Sequence, residues 1–162
     1  MKIGVISDTH DRLPTARRAV ELFKRLKVDA VIHAGDYVAP FTAELFTPAH
    51  LGDTPLHGIY GNNDGERDGL KKMLPQIVDG PLRLELGGKS VAVAHYVDWF
   101  NPADHAEADV LISGHNHEAG VAQKDGKLYL NPGECCGWLT ERCTVAMLDL
   151  ETLQADIVEV HP

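Results

Sequence analysis

Five short apolar runs in this chain stop at residues able to bind a metal. The first ends in Ser7-Asp8-Thr9-His10 and the second in His33-Ala34-Gly35-Asp36. The third leads to Gly61-Asn62-Asn63-Asp64, Val91-Ala92-Val93-Ala94 leads to a lone His95, and Leu111-Ile112-Ser113 leads to Gly114-His115-Asn116-His117. Carboxylate, imidazole and amide oxygen together favour borderline first-row divalent ions. Ligands this far apart in sequence converge only if the runs are neighbouring strands whose ends share one edge, which is where open α/β sheets place their sites.

Taken alone, each block has a plainer explanation. Asp8 and His10 stand two apart, so alternation in extended chain would put them on one side with Thr9 opposite, yet an Asp cap beside an incidental His would look the same. Asp36 follows Gly35, whose missing side chain lets backbone approach an ion, but Gly-Asp is also an ordinary turn pair. Gly61-Asn62-Asn63-Asp64 is turn-like in composition. His95 alone reads as a core or strand-end histidine. His115 and His117 are more specific, because two imidazoles two apart in extended chain can face one cavity. The conjunction and its order carry the argument.

The elements that must position these residues follow from periodicity. Lys2 to Ser7 reads as a buried strand, and Pro14 to Lys27 as a helix through Ala16, Ala19, Val20, Phe23 and Leu26, with Pro14 in its first turn. Asp29 to Ala34 is a second strand, which makes a right-handed βαβ unit. Phe41 to Phe46 reads as a short helix, Leu56 to Tyr60 as a strand, and Arg67 to Leu74 as a helix closed by Pro75. Beyond Gly80 the chain is strand-rich with little room for helices: Leu82 to Leu86, a Gly87-Gly88 turn, Ser90 to Ala94, Val110 to Ser113, Gly120 to Gln123, an Asp125-Gly126 hairpin turn, Lys127 to Asn131, Thr144 to Leu150 and Ala155 to Val160. The expected class is α/β (α+β): two sheets packed face to face with helices outside, in a single domain over 1–162.

Composition agrees and narrows the partners. A chain of 162 residues, 44% hydrophobic and 24% charged, is an ordinary globular domain able to bury roughly two-thirds of its unfolded surface. No stretch approaches the ~20 apolar residues of a membrane span, and the opening residues are too short a run for a signal peptide, so the expected place is the cytoplasm. A net charge of -9 disfavours long nucleic acid. Cys135, Cys136 and Cys143 form no disulfide framework and read as small buried apolar residues.

The motif order D-x-H, G-D, G-N-x-D, single His and G-H-x-H resembles that of the calcineurin-like metallophosphoesterases, and nearly the whole chain takes part. The length, the Gly-Asn-Asn-Asp variant and Asn131-Pro132-Gly133 look like the small phosphodiesterase branch. That resemblance implies a four-layer αββα sandwich with two mixed sheets. It also implies two divalent ions (Mn, Ni, Fe, Co or Zn), one held by Asp8, His10 and His117, the other by Asn62, His95 and His115, with Asp36 between them. Such a pair lowers the pKa of a bridging water, whose hydroxide attacks phosphorus, and it clamps attacking and leaving oxygens. The implied substrate is a small or nucleotide-like phosphodiester. The alternatives are a phosphomonoesterase or pyrophosphate hydrolase on the same site, and a non-catalytic interaction scaffold of the same fold. Such families often pair into homodimers through a strand edge or helix face.

Three features depart from the family pattern. Asn63 stands where relatives carry a His that stabilises the transition state or protonates the leaving group, and an amide donates a hydrogen bond but supplies no proton. Asp64 would orient that His; here it is expected to bond Asn63 or only shape the loop. Glu134 follows Asn131-Pro132-Gly133 where relatives often have a small polar residue, and it reads as a solvent-facing side chain. The third is the Cys135-Cys136 pair already assigned to the interior. Arg12 is the nearest basic candidate for a phosphate oxygen, although a surface Arg opening a helix would look identical. His33 either supports Asp36 from behind or ends its strand; Trp99 and Phe100 are expected to wall the pocket, with a core position an equal alternative for Trp99. No role is given to His50, His57, His105 or His161.

Overall fold

A computed structural model describes residues 1–161. Its first sheet is built around β1 (Lys2–Ile6), which pairs in parallel with β2 (Ala30–His33), itself parallel to β3 (Leu56–Gly58). The run to Tyr60 continues past β3 only as a bridge from Ile59 to Val78. On its other side β1 pairs antiparallel with β9 (Thr144–Asp149), and β9 with β10 (Gln154–Glu159), giving the order β10-β9-β1-β2-β3. The last two strands of the chain thus return to the sheet that the first strand began.

The second sheet has the order β4-β5-β6-β8-β7. β4 (Leu82–Leu86) and β5 (Lys89–Val93) form an antiparallel hairpin, and β6 (Val110–Ile112) and β8 (Lys127–Asn131) extend it in parallel. β7 (Gly120–Lys124) pairs antiparallel with β8 across Asp125-Gly126, both at positive φ as a primed turn requires.

Alternating side chains sort three cores. Ile3 and Val5 meet Val91, Val93, Val110 and Ile112 between the sheets. On the outer face of the first sheet, Ala16, Ala19, Val20 and Phe23 of α1 (Leu13–Leu26) cover Val31 and Val145, whereas Leu26 is exposed. A side chain at Gly4 would run into the Phe23 ring, so α1 lies directly on β1. α2 (Pro40–Glu44), α3 (Pro48–Leu51) and α4 (Arg67–Met73) follow in the same first half. The outer face of the second sheet carries Ala92 and Leu111 against Phe100 and Ala108, which flank α5 (Pro102–Glu107). These are the four layers of an αββα sandwich.

One expectation is corrected. The strand-rich half does hold a helix, α5, started by a capping box in which the Asn101 side chain accepts from the Ala103 and Asp104 amides while Asp104 accepts from the Asn101 amide. α3 and a 3-10 turn at Val97–Trp99 are further short helical segments without a counterpart in the sequence reading.

Candidate metal centre

The strands β1, β2, β3, β5 and β6 end side by side, and the loops leaving them are laced together by backbone. The amides of Thr9 and His10 donate to the Asp36 carbonyl, Asp8 N to Gly35 O, and Gly114 N to His95 O. Glycine makes the close approach possible: a side chain at Gly61 would strike the Asp36 carboxylate, and one at Gly114 would strike Ser7 and Asp8. Both sheets contribute, so the site straddles the sandwich edge.

The backbone here is not the extended chain expected of Asp8 to His10 and His115 to His117. Asp8, His10, Asp36, His115 and His117 all have positive φ, from 38° to 70°. Asp and His enter the left-handed region more readily than most residues, and such strain gathers at functional sites. The side chains therefore converge through tight left-handed turns, not through strand alternation.

Converge they do. Asp36 Oδ2 lies 3.3 Å from both His10 Nε2 and His95 Nε2. Asp8 Oδ1 lies 3.7 Å from His10 Nε2 and 3.5 Å from His117 Nε2. Asn62 Oδ1 stands 2.9 Å from His95 Nε2 and 3.1 Å from His115 Nδ1. Because His95 Nδ1 lies 2.8 Å from the Ala34 carbonyl, it carries the ring proton, and neutral His95 turns a bare Nε2 lone pair toward two acceptor oxygens. Asp8 Oδ1 and His10 Nε2 are buried with no hydrogen-bond partner among the described residues. Lone pairs aimed at one another and orphaned acceptors are what a cation satisfies, so the residues present fit divalent metal.

The electrostatics match. Burial opposes charge on His10, but the nearby carboxylates of Asp8 and Asp36 favour the protonated ring and outweigh it, so the imidazole titrates above the ordinary 6.5. His95 rises likewise: once protonated, its Nε2–H would donate to Asp36, and that bond and the opposite charge overcome burial. Burial would raise Asp36, yet His95 and Asn63 hold its carboxyl well below the usual range. His115 is lowered, chiefly by burial.

The pattern of the calcineurin-like phosphoesterase superfamily domain matches residues 1–153. The chain belongs to that superfamily. Phosphodiesterase MJ0936 of Methanocaldococcus jannaschii is 39% identical over 159 residues, 93% of this chain and 94% of that protein. A solved archaeal phosphodiesterase superposes with a TM-score of 0.87 at 36% identity, covering 98% of this chain and 99% of its own. Vps29 of Entamoeba histolytica, solved with zinc, shares the fold at a TM-score of 0.66 and 19% identity, covering 98% and 99%. As a calcineurin-like phosphoesterase the chain is a metal-dependent phosphoric ester hydrolase.

Around this phosphoesterase centre the remaining candidates fall into distinct places. Asn63 grips Asp36 twice: its amide N donates to Oδ1 and Nδ2 to Oδ2, both at 2.8 Å. Asp64 is buried and accepts from the amides of Gly61, Asp36 and Val38. Burial pushes its carboxyl up while those amides pull it back. Every one of these contacts is to loop backbone, so Asp64 shapes the loop that presents Asp36. Arg12 donates through Nη1 to the Cys136 carbonyl, and its guanidinium covers the Trp138 ring at 4.8 Å. His33 is buried at the end of β2, stacked on Tyr37, and accepts from the Gly35 amide, so it does back the Asp36 loop.

The solvent-facing expectation for Glu134 is wrong: the residue is 0% exposed. Its carboxylate accepts from His117 Nδ1, Cys136 Sγ, the amides of Trp138, Leu139 and Thr140, and Thr140 Oγ1. Burial works against the ionised form, but these donors hold its pKa down to about 2. The one clue in the sequence was its place just after β8, a strand end like those of the ligands. Phe100 belongs to the core beneath α5, while half-exposed Trp99 packs near Tyr96, and the Tyr96 ring lies 3.7 Å from that of His115. Tyr96 gave no signal in sequence beyond following His95. All three cysteines are free and buried. Cys136 nevertheless sits with His10 and His117 in one group of potential ligand atoms. Burial first, and then the neighbouring Glu134, raise its thiol far above its ordinary range, so it stays protonated.

Proposed function

We propose that this phosphoesterase hydrolyses a small or nucleotide-like phosphodiester at a pair of divalent metal ions. The observation that carries the reading is Asp36 Oδ2 placed equally, at 3.3 Å, from an imidazole of each ligand group. Asp8, His10 and His117 would hold one ion, Asn62, His95 and His115 the other, and Asp36 would serve both. Bound there, Mn, Fe, Ni, Co or Zn would lower the pKa of water and stabilise both oxygens of an in-line displacement.

The chain's own residues supply the rest. Asn62 gives the second group an uncharged oxygen, and Asn63 holds Asp36 in place while its amide can donate to a developing oxyanion. With no proton to give, Asn63 favours substrates whose leaving group is already acidic. Arg12, two residues beyond His10, has one guanidinium nitrogen engaged by the Cys136 carbonyl, and a substrate oxygen would draw on the other. The charge of -9 supports a small substrate over long nucleic acid. Three free thiols suit a reducing, cytoplasmic setting, and no helix among the described residues is long and apolar enough to cross a membrane. β7, exposed along its length, is the edge that would join two copies in a homodimer.

The test is turnover of an aryl phosphodiester against an alkyl phosphate monoester, with metal content measured and Mn, Ni and Zn added back. The diester should win by a wide margin. Preference for the monoester would overturn the role given to Asn63, and hydrolysis of neither with both ions bound would favour a non-catalytic scaffold.

A further inference from the structure

We infer that Glu134 is a positioning residue that fixes His117 for metal binding and ties it to the exposed rim at Trp138 to Thr140. The carboxylate has two faces of contact. Oε2 takes the Nδ1 proton of His117 at 2.7 Å, and both oxygens together take the amides of Trp138, Leu139 and Thr140 with the Thr140 hydroxyl. An ionised carboxylate only accepts, so the His117 proton must sit on Nδ1 and the Nε2 lone pair is left facing Asp8 Oδ1, 3.5 Å away. A carboxylate behind a ligating histidine fixes tautomer and ring orientation and raises the basicity of the ligand.

The rim is held with equal definition. Trp138 is 59% exposed yet its indole Nε1 donates to the His10 carbonyl at 3.3 Å and its ring lies under the Arg12 guanidinium. An exposed tryptophan pinned beside one ligand, on a loop whose amides hang on the partner of another ligand, joins the metal centre to the surface a substrate meets first. Gln at 134 could not replace the acid: either orientation of the amide turns an NH2 group toward N–H donors.

The metal part of this inference rests on the function proposed above; the tautomer and the loop do not. In metal-free wild-type protein, long-range 15N correlation spectra should show His117 protonated on Nδ1. E134Q should lose that tautomer preference, shift the amide resonances of Trp138, Leu139 and Thr140, and weaken one of two Mn2+ binding events about 10–100-fold. T140V should move the loop amides alone. Nε2 protonation of His117 in the wild type overturns the inference whether or not E134Q folds, and so does a folded E134Q with unchanged tautomer and Mn2+ affinity. If the wild type binds no Mn2+, the metal-centre reading falls, and the tautomer still decides the placement of Glu134.

Discussion

The two ligand groups of the proposed metal centre are built on different plans. The half formed by Asp8, His10 and His117 is anionic, with Asp8 and His117 buried and His10 half-buried, Glu134 behind it and two polar atoms, Asp8 Oδ1 and His10 Nε2, without partners among the described residues. The half formed by Asn62, His95 and His115 has a neutral amide as its oxygen donor, its exposed flank is covered by Tyr96, and its firmest anchor is a main-chain carbonyl, that of Ala34. Cation affinity follows the number of carboxylates and their burial, so the first half should hold its ion more tightly and the second should exchange first.

Asp36→Asn removes what the halves share and carries the largest expected effect. Both ions should be lost together, and turnover should fall by more than the roughly 10–100-fold typical of an outer-shell partner, as read by metal analysis and diester kinetics. Full metal occupancy with normal activity would break the comparison outright. Next, His115→Ala should leave one ion per chain after dialysis whereas His117→Ala should deplete the tighter site; Mn2+ electron paramagnetic resonance should show an isolated ion in the first variant. Equal losses in both would mean the halves are energetically alike.

Acid gives a smaller, graded effect with two signs. As the proposed ligands, His10 and His95 would bind metal only when neutral, and their raised pKa values mean that protons should begin to displace ions already above pH 6.5. In metal-free protein the same shifts act oppositely. The raised folded-state values of His10 and His95 contribute stability that is fully present below about pH 6.5 and lost as pH climbs through them, while the lowered values of His33, His57 and His115 act in the opposite sense, so His95→Gln should lower the melting temperature of the apo protein more at pH 6 than at pH 8. Asp36, held low, contributes above about pH 4 and loses that contribution as pH falls further. Activity that stays flat down to pH 5 would contradict the ligand assignment. The smallest effect belongs to Arg12→Ala: KM for the diester should rise about 2- to 5-fold with kcat little changed, the equivalent of the ~0.5–1 kcal/mol of a solvent-screened charge contact.

The strand ends bearing Asp8, Asp36, Asn62, His95 and His115 were legible because apolar runs and their terminators are local features of the chain. The Gly87-Gly88 and Asp125-Gly126 hairpins were legible for the same reason. α5 was written just as locally, in Asn101-Pro102-Ala103-Asp104, but a helix of six residues inside a strand-rich stretch is easily passed over. The pairing of β9 with β1 was not legible, since which strand adopts which neighbour is settled by packing across most of the chain. Nor were the left-handed turns at the ligands, where close loop contact overrides the preference of a continuing strand. Glu134 was misread because burial of a carboxylate depends on donors drawn from His117 and from Trp138 to Thr140, and no spacing rule reveals them.

The place of β1 between β2 and β9 has a bearing on biosynthesis. The strand that delivers Asp8 and His10 is made first, but its second neighbour emerges only with residues 144 to 149. A nascent or truncated chain ending earlier leaves β1 with one flank unpaired, and Cys135 and Cys136, whose amides bind Ser7 and Asp8, unsupported by the strand that follows them. The centre should therefore mature late, once β9 has closed the free flank of β1.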